Sequence, residues 1–175
     1  MLIFSVKNLL NQFTGAKEEY PLFETLAEIF PQEKSGIRLK SPLTGHLVLR
    51  KLPEHSVGVE CYDVEISVLL SCSLCLKEYR ERIFIDHFEG EFYLSPPQGR
   101  EIAEQYFTID KKKLEIDLSE IIRQTLLLHF PVFPVCSKSC KGLCPHCGKD
   151  LNTETCEDAH RLEKKENPFS ILKEI

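Results

Sequence analysis

The 175 residues, 42% hydrophobic and 28% charged, suffice for one domain with a real core and exclude a wholly disordered chain. The net charge of −5 argues against a protein that coats nucleic acid through bulk charge, although a local basic face stays open. Apolar runs such as Leu126 to Leu128 fall far short of the ~20 residues that span a bilayer.

In chain order, MLIFSVKNLL lacks a basic n-region and a small-residue cleavage site, so it reads as a first structural element rather than an export signal. Residues 1–33 read as mostly helical or irregular, with Phe23, Leu26, Ala27, Ile29 and Phe30 at helical spacing before Pro31. From Ile37 the texture turns to β. Leu43 to Leu52, Ser56 to Cys61 and Val64 to Ser71 read as strands, the last alternating Val64, Ile66, Val68 and Leu70 with Glu65 and Ser67. Glu78 to Phe88 and Glu91 to Leu94 continue the pattern, and 95–105 reads as a loop. Tyr106 to Ile109 and Leu114 to Ile116 suggest a small hairpin. A helix then follows, with Asp117 as N-cap, Glu120 as its capping-box partner and an apolar stripe of Leu118, Ile121, Ile122, Thr125, Leu126 and His129. Pro131 and Pro134 stop it. Residues 136–160 have no hydrophobic period, so something other than a core must hold them. Asn167-Pro168 can start a short C-terminal helix through Leu172.

Eight cysteines demand an explanation. They bunch rather than spread, at two- and three-residue separations in a chain long enough to fold without staples. That favours thiolate–metal chemistry in a reducing cytoplasm over disulfides. Cys72-Ser-Leu-Cys75 and Cys144-Pro-His-Cys147-Gly148 are two C-x2-C pairs, and together they supply the four thiolates of a closed zinc site. Two intervening residues let a tight turn aim both sulfurs at one ion, and Gly148 permits the backbone turn such a knuckle needs. The leading expectation is therefore one zinc ion held by Cys72, Cys75, Cys144 and Cys147. A second wiring uses the local set Cys136, Cys140, Cys144 and Cys147, and Cys156 can replace one member. Cys61 reads as a buried bystander.

Other chemistry is weaker. A redox role for Cys144 and Cys147 wants a helix after the motif, and Gly-Lys-Asp-Leu-Asn is a turn. His146 reads as a solvent-facing spacer and His129 as a core histidine. No nucleophile–base order or phosphate loop argues for an enzyme. Charge is uneven: Lys34 to Lys51 holds Arg38, Lys40, Arg50 and Lys51 with no acidic residue, and Lys138, Lys141 and Lys149 surround the second pair. Such cations gain RNA affinity by neutralising phosphates, although an ordinary solvated surface is the plainer account.

A strand ending in Cys72-x-x-Cys75-Leu76 leads through the helix to Pro131-x-x-Pro134. Then come Cys136-x3-Cys140-x-Gly-Leu-Cys144-x-x-Cys147-Gly-x-x-Leu-Asn152 and a closing Asn167-Pro-Phe-x-x-Leu172. This order resembles the YceD family of large ribosomal RNA subunit accumulation proteins, over roughly residues 37–172. The resemblance implies a non-enzymatic ribosome biogenesis factor needed for accumulation or processing of large-subunit (23S) ribosomal RNA. Its partners would be precursor RNA or a ribosomal protein, with no membrane and no small-molecule substrate. Rival readings are a zinc-stabilised interaction adaptor without RNA contact and a thiol-disulfide oxidoreductase. The expected architecture is α+β: a mainly antiparallel sheet or open barrel with one long helix and a cysteine-rich zinc-binding lobe. Residues 1–135 would form the β-rich domain, and 136–175 the lobe with a C-terminal helix on the same domain.

Overall fold

A computed structural model describes residues 2–25, 38–95 and 107–156. These divide into two compact units: one of residues up to 70 together with 80–132, the other of 71–79 with 133–156. The cysteine-rich unit therefore takes the first C-x2-C pair out of the β-rich stretch, as well as the tail that composition marked.

The larger unit is built on strands β1 (Ile3–Ser5), β2 (Lys17–Glu24), β3 (Arg38–Leu39), β4 (Leu43–Lys51), β5 (Ser56–Ser71), β6 (Glu78–Tyr93), β7 (Phe107–Thr108) and β8 (Glu115–Asp117). A six-stranded sheet has the order β2-β4-β5-β6-β7, with β3 also paired to β5, and β1 pairs with β8 in a separate ribbon. The β2–β4, β4–β5, β3–β5 and β1–β8 pairings are antiparallel, and β6–β7 is parallel. Of the expected architecture, the mainly antiparallel sheet is present, as an open sheet accompanied by few helices among the described residues. The core follows strand alternation: Leu43, Leu47 and Leu49 of β4 and Val64, Ile66 and Val68 of β5 are all buried.

Where the sequence suggests two strands across 56–71, there is one. Asp63 takes a positive φ of 51° and the β4–β5 register shifts between Thr44 and His46, a β-bulge that interrupts the alternation without ending the strand. Gly45 answers the bulge. A Cβ there would stand 3.0 Å from the Tyr62 carbonyl oxygen and 3.1 Å from Val64 Cγ2. Likewise 78–93 is one strand that passes straight through Gly90, where a Cβ would lie 2.2 Å from Ile121 Cδ1. The glycine marks where a helix leans on the sheet rather than a break.

Where the sequence reads 1–33 as mostly helical or irregular, the described residues there hold one short turn, α1 (Lys7–Leu10), irregular stretches and the strands β1 and β2, with β2 pairing along its whole length with β4. Phe23, expected on a helix face, sits in β2 and is 71% exposed. Pro21 and four charged residues disguise β2 as non-strand, yet an edge strand tolerates both. Leu26 to Phe30, the loop beyond Ser95 and the helix expected at 167–172 lie outside the described residues. The hairpin arms around 110–115 do turn back, through Asp110 Oδ1 accepting from the Lys112 and Lys113 amides and an Asp110–Glu115 bridge. They then separate, β7 joining β6 and β8 joining β1.

The marked helix is α2 (Ser119–His129). The N-cap position is Leu118 rather than the expected Asp117, and no side chain caps the helix; Asp117 Oδ1 accepts the Ser119 amide at 2.9 Å from one residue further out. Glu120 turns instead to Arg123 and Gln124. Leu118, Ile121, Ile122 and Leu126 are buried, but His129 is exposed, its Nδ1 lying 2.8 Å from the Thr125 carbonyl oxygen. The apolar stripe ends one turn before the helix does. Among the described residues no helix is long and apolar enough to cross a membrane.

Candidate metal centre

Between β5 and β6 the chain makes a tight knuckle. The Cys72 amide donates to the Lys77 carbonyl at 2.9 Å, and the Leu76 amide to the Cys72 carbonyl at 2.9 Å. Leu76 closes the turn at φ 60°. The second C-x2-C pair repeats this bond for bond: Cys144 amide to Lys149 carbonyl at 2.7 Å, Gly148 amide to Cys144 carbonyl at 2.9 Å, and Gly148 at φ 72°. Glycine adopts that conformation freely, and leucine does so only under strain. The first knuckle is thus harder to recognise from sequence than the second.

The two knuckles do not share one site. Cys72 and Cys75 meet Cys136 and Cys140, all four sulfurs lying within 4.8 Å of one another. Cys72 Sγ is 3.9 Å from Cys140 Sγ, and Cys75 Sγ is 3.7 Å from Cys136 Sγ. Tetrahedral zinc with bonds of about 2.3 Å would set its sulfurs about 3.8 Å apart, so the donor set fits the ion. Local bonds bring the arm to the knuckle: the Ser73 amide donates to the Pro134 carbonyl at 2.7 Å, and the Cys140 amide to the Ser137 carbonyl at 3.1 Å. Cys144 and Cys147 gather with Cys156 instead. The leading pairing of Cys72 and Cys75 with Cys144 and Cys147 is therefore not the one the fold assembles, nor is the local set of Cys136, Cys140, Cys144 and Cys147; Cys136 and Cys140 join the first pair instead. Spacing alone could not choose, because every pair has a spacing that suits zinc. Cys61 lies fully buried in the sheet core, and burial pushes its thiol up to about 12, consistent with an inert packing residue.

Electrostatics within the cluster favour a cation. Backbone amides, that of Cys75 foremost, point at Cys72 and lower its thiol to about 6. The Cys140 and Cys75 thiols beside Cys136 push it up to about 12. One thiolate thus forms readily while a neighbour keeps its proton, and a bound cation would displace that proton. Cys144 is lowered to about 7 by the Cys147 and His146 amides.

A polar shell braces the thiols. Lys77 Nζ pairs with Asp150 Oδ2 at 2.5 Å, and Asp150 Oδ1 accepts the Asn152 amide at 2.9 Å. Lys77 first, then that amide, hold the Asp150 carboxyl down to about 2. Asn152 Oδ1 accepts the Lys141 amide at 2.8 Å, while its Nδ2 donates to Cys140 Sγ at 3.5 Å. Gly142 lets its own segment approach the first knuckle: a Cβ there would meet the Leu74 carbonyl oxygen at 3.0 Å, next to the Leu143 amide-to-Leu74 carbonyl bond of 2.9 Å. Asp150 and Asn152 escape a reading of ligand types alone, because Asn152 acts by donating to Cys140 Sγ and Asp150 by holding Asn152 and Lys77 in place.

A family model described as "Large ribosomal RNA subunit accumulation protein YceD" matches residues 61–175. The chain belongs to the YceD family. It is 39% identical over 62 residues to the "Large ribosomal RNA subunit accumulation protein YCED homolog 1, chloroplastic" of Arabidopsis thaliana, covering 34% of this chain and 19% of that protein. The Zea mays protein of the same description is 49% identical over 39 residues, 22% of this chain and 13% of that one. An uncharacterized protein of Mycobacterium tuberculosis is 30% identical over 140 residues, 79% of this chain and 59% of its own length. The chain thus spans less than two thirds of each of these relatives. No solved structure matches it. The family match covers every cysteine and leaves β1 to β4 outside.

The cations expected to meet RNA have diverging environments. Arg38 and Lys40 are exposed. Arg50 is half-buried and holds Glu60 through Nε at 2.9 Å and a second nitrogen at 2.8 Å. Lys51 is 6% exposed, and its ammonium makes no hydrogen bond among the described residues, so it does not present itself to a phosphate.

Proposed function

We propose that this protein is a non-enzymatic, zinc-stabilised factor that promotes accumulation of large-subunit ribosomal RNA by binding its precursor in the cytoplasm. The observation that carries this reading is the match to the YceD model across residues 61–175. Zinc is the natural occupant of Cys72, Cys75, Cys136 and Cys140, because an all-thiolate tetrahedral set leaves no open position for catalysis. Bound there, the ion would tie the arm at 136–140 to the first knuckle and supply folding energy. Arg38 and Lys40 are the phosphate contacts, with Arg50 contributing only by leaving Glu60.

A second reading, a protein-binding adaptor without RNA contact, is favoured by one observation: of the four expected cations, Lys51 is buried and Arg50 is already paired. Depletion of the protein followed by ribosomal particle profiling tests the function, and loss of large subunits with altered precursor large-subunit RNA is expected. Normal particles would defeat the proposal. Direct RNA binding should weaken steeply with salt and fall on reversal of Lys40 to Glu. Undetectable binding at low salt, with particles still defective, would leave the adaptor.

A further inference from the structure

Four apolar side chains of the cysteine-rich unit stand in solvent: Leu74, Leu76, Phe133 and Val135, with Leu76 at 66% exposure and Phe133 at 78%. Backbone bonds bring the stretches that carry them together. The Ser73 amide donates to the Pro134 carbonyl at 2.7 Å, which sets the tip of the first knuckle beside the arm on which Phe133 and Val135 flank that proline. Two cations border the same place. Gly142 stands against Leu74, so its chain neighbour Lys141 flanks the knuckle tip. Lys138 lies on the loop between Cys136 and Cys140, whose sulfurs meet those of Cys75 and Cys72. Both lysines are exposed. Lys77 and Lys149 of this unit are matched by Asp150 and Glu154, whereas Lys138 and Lys141 make no ion pair among the described residues.

We propose that this face binds a single-stranded RNA segment, with a base stacked on Phe133 and the neighbouring phosphates on Lys138 and Lys141. The proposal rests on the RNA role given above and adds to Arg38 and Lys40 a surface that contacts bases. An exposed ring offers a flat apolar platform to any unstacked base, and the bases of a duplex, already stacked on one another, are not free to take it. Leu74, Leu76 and Val135 widen the platform. Nucleic acid sets an anion beside every base, and that alternation answers apolar groups edged by unneutralised ammonium groups. An apolar protein segment would cover the platform and leave the two charges at its rim unanswered.

The test is fluorescence anisotropy of the zinc-loaded full chain with a labelled single-stranded RNA oligonucleotide and with the same strand in a duplex, each variant being compared at wild-type zinc content. F133A should weaken single-strand binding about tenfold or more, and F133Y, which keeps a ring, should bind as the wild type does. K138A/K141A should lower the slope of log affinity against log salt by about 1.4, the value for two phosphate contacts on a single strand. The duplex should bind more weakly and be indifferent to F133A. Unchanged single-strand affinity in F133A, or no binding by the wild type at low salt, overturns the proposal. A wild-type dimer that becomes monomeric in F133A while RNA affinity holds gives the face to a second copy of the chain and overturns it too. Single-strand binding lost in F133A, with normal ribosomal particles after depletion, keeps this surface and defeats the ribosomal role. Defective particles with binding indifferent to F133A and weakened by K40E spare that role and defeat the surface.

Discussion

The two units solve the same problem with different matter. In the sheet unit, strands and a helix converge on aliphatic side chains, and every member of the hydrophobic core cluster among the described residues belongs to it. In the cysteine-rich unit, the side chains that reach full burial are Cys72, Cys75 and Cys144. Burial there is centred on sulfur, and the exposed Leu76 and Phe133 show that apolar groups were not gathered to replace it. Area removed from water can stabilise the first unit, whereas the second, on the proposed function, would depend on bonds to an ion.

The sharpest way to break that comparison is to take the metal away. Chelation, or Cys136→Ser, should abolish amide protection at 133–156 while β4 and β5 keep theirs, as read by hydrogen exchange; structural zinc contributes on the order of 10–16 kcal/mol in small zinc modules. Acid should act in the same direction, because the thiolates must shed protons to bind. Conversely, Leu47→Ala should cost the sheet unit about 2–5 kcal/mol in denaturant unfolding with metal stoichiometry unchanged. Asn152→Ala, which removes the donor to Cys140 and the acceptor for the Lys141 amide, should weaken the first site about 10–100-fold in competition with a chelator.

The knuckles offer a finer contrast. Leu76→Gly should raise metal affinity or thermal stability by about 0.5–1 kcal/mol by releasing backbone strain, and Gly148→Ala should lower it by about 1 kcal/mol although its Cβ would meet nothing. Smallest of all is an effect on α2. Arg123, then Gln124, hold the Glu120 carboxyl down to about 2, so its contribution to stability is complete above pH ~4.5 and fades as pH falls toward 2. Glu120→Gln should flatten that acid limb without altering the metal.

Local pattern made much of this protein legible. Alternation revealed β4, both halves of β5 and most of β6, and the apolar stripe with its proline stop revealed α2, because each depends on neighbours within a few residues. The clustering of thiols able to hold a metal was equally plain, since cysteines bunched without a hydrophobic period stand out along the chain. Partner choice was not local. Eight residues of β2 became a strand by pairing with β4, across some two dozen positions, against a polar and proline-bearing sequence. Bulges at Asp63 and the contact at Gly90 turned apparent breaks into continuous strands. Among seven thiols with acceptable spacings, the Ser73 amide on the Pro134 carbonyl and the Asn152 brace on Cys140 decided which four converge, and geometry in three dimensions, not separation along the chain, chooses a tetrahedron.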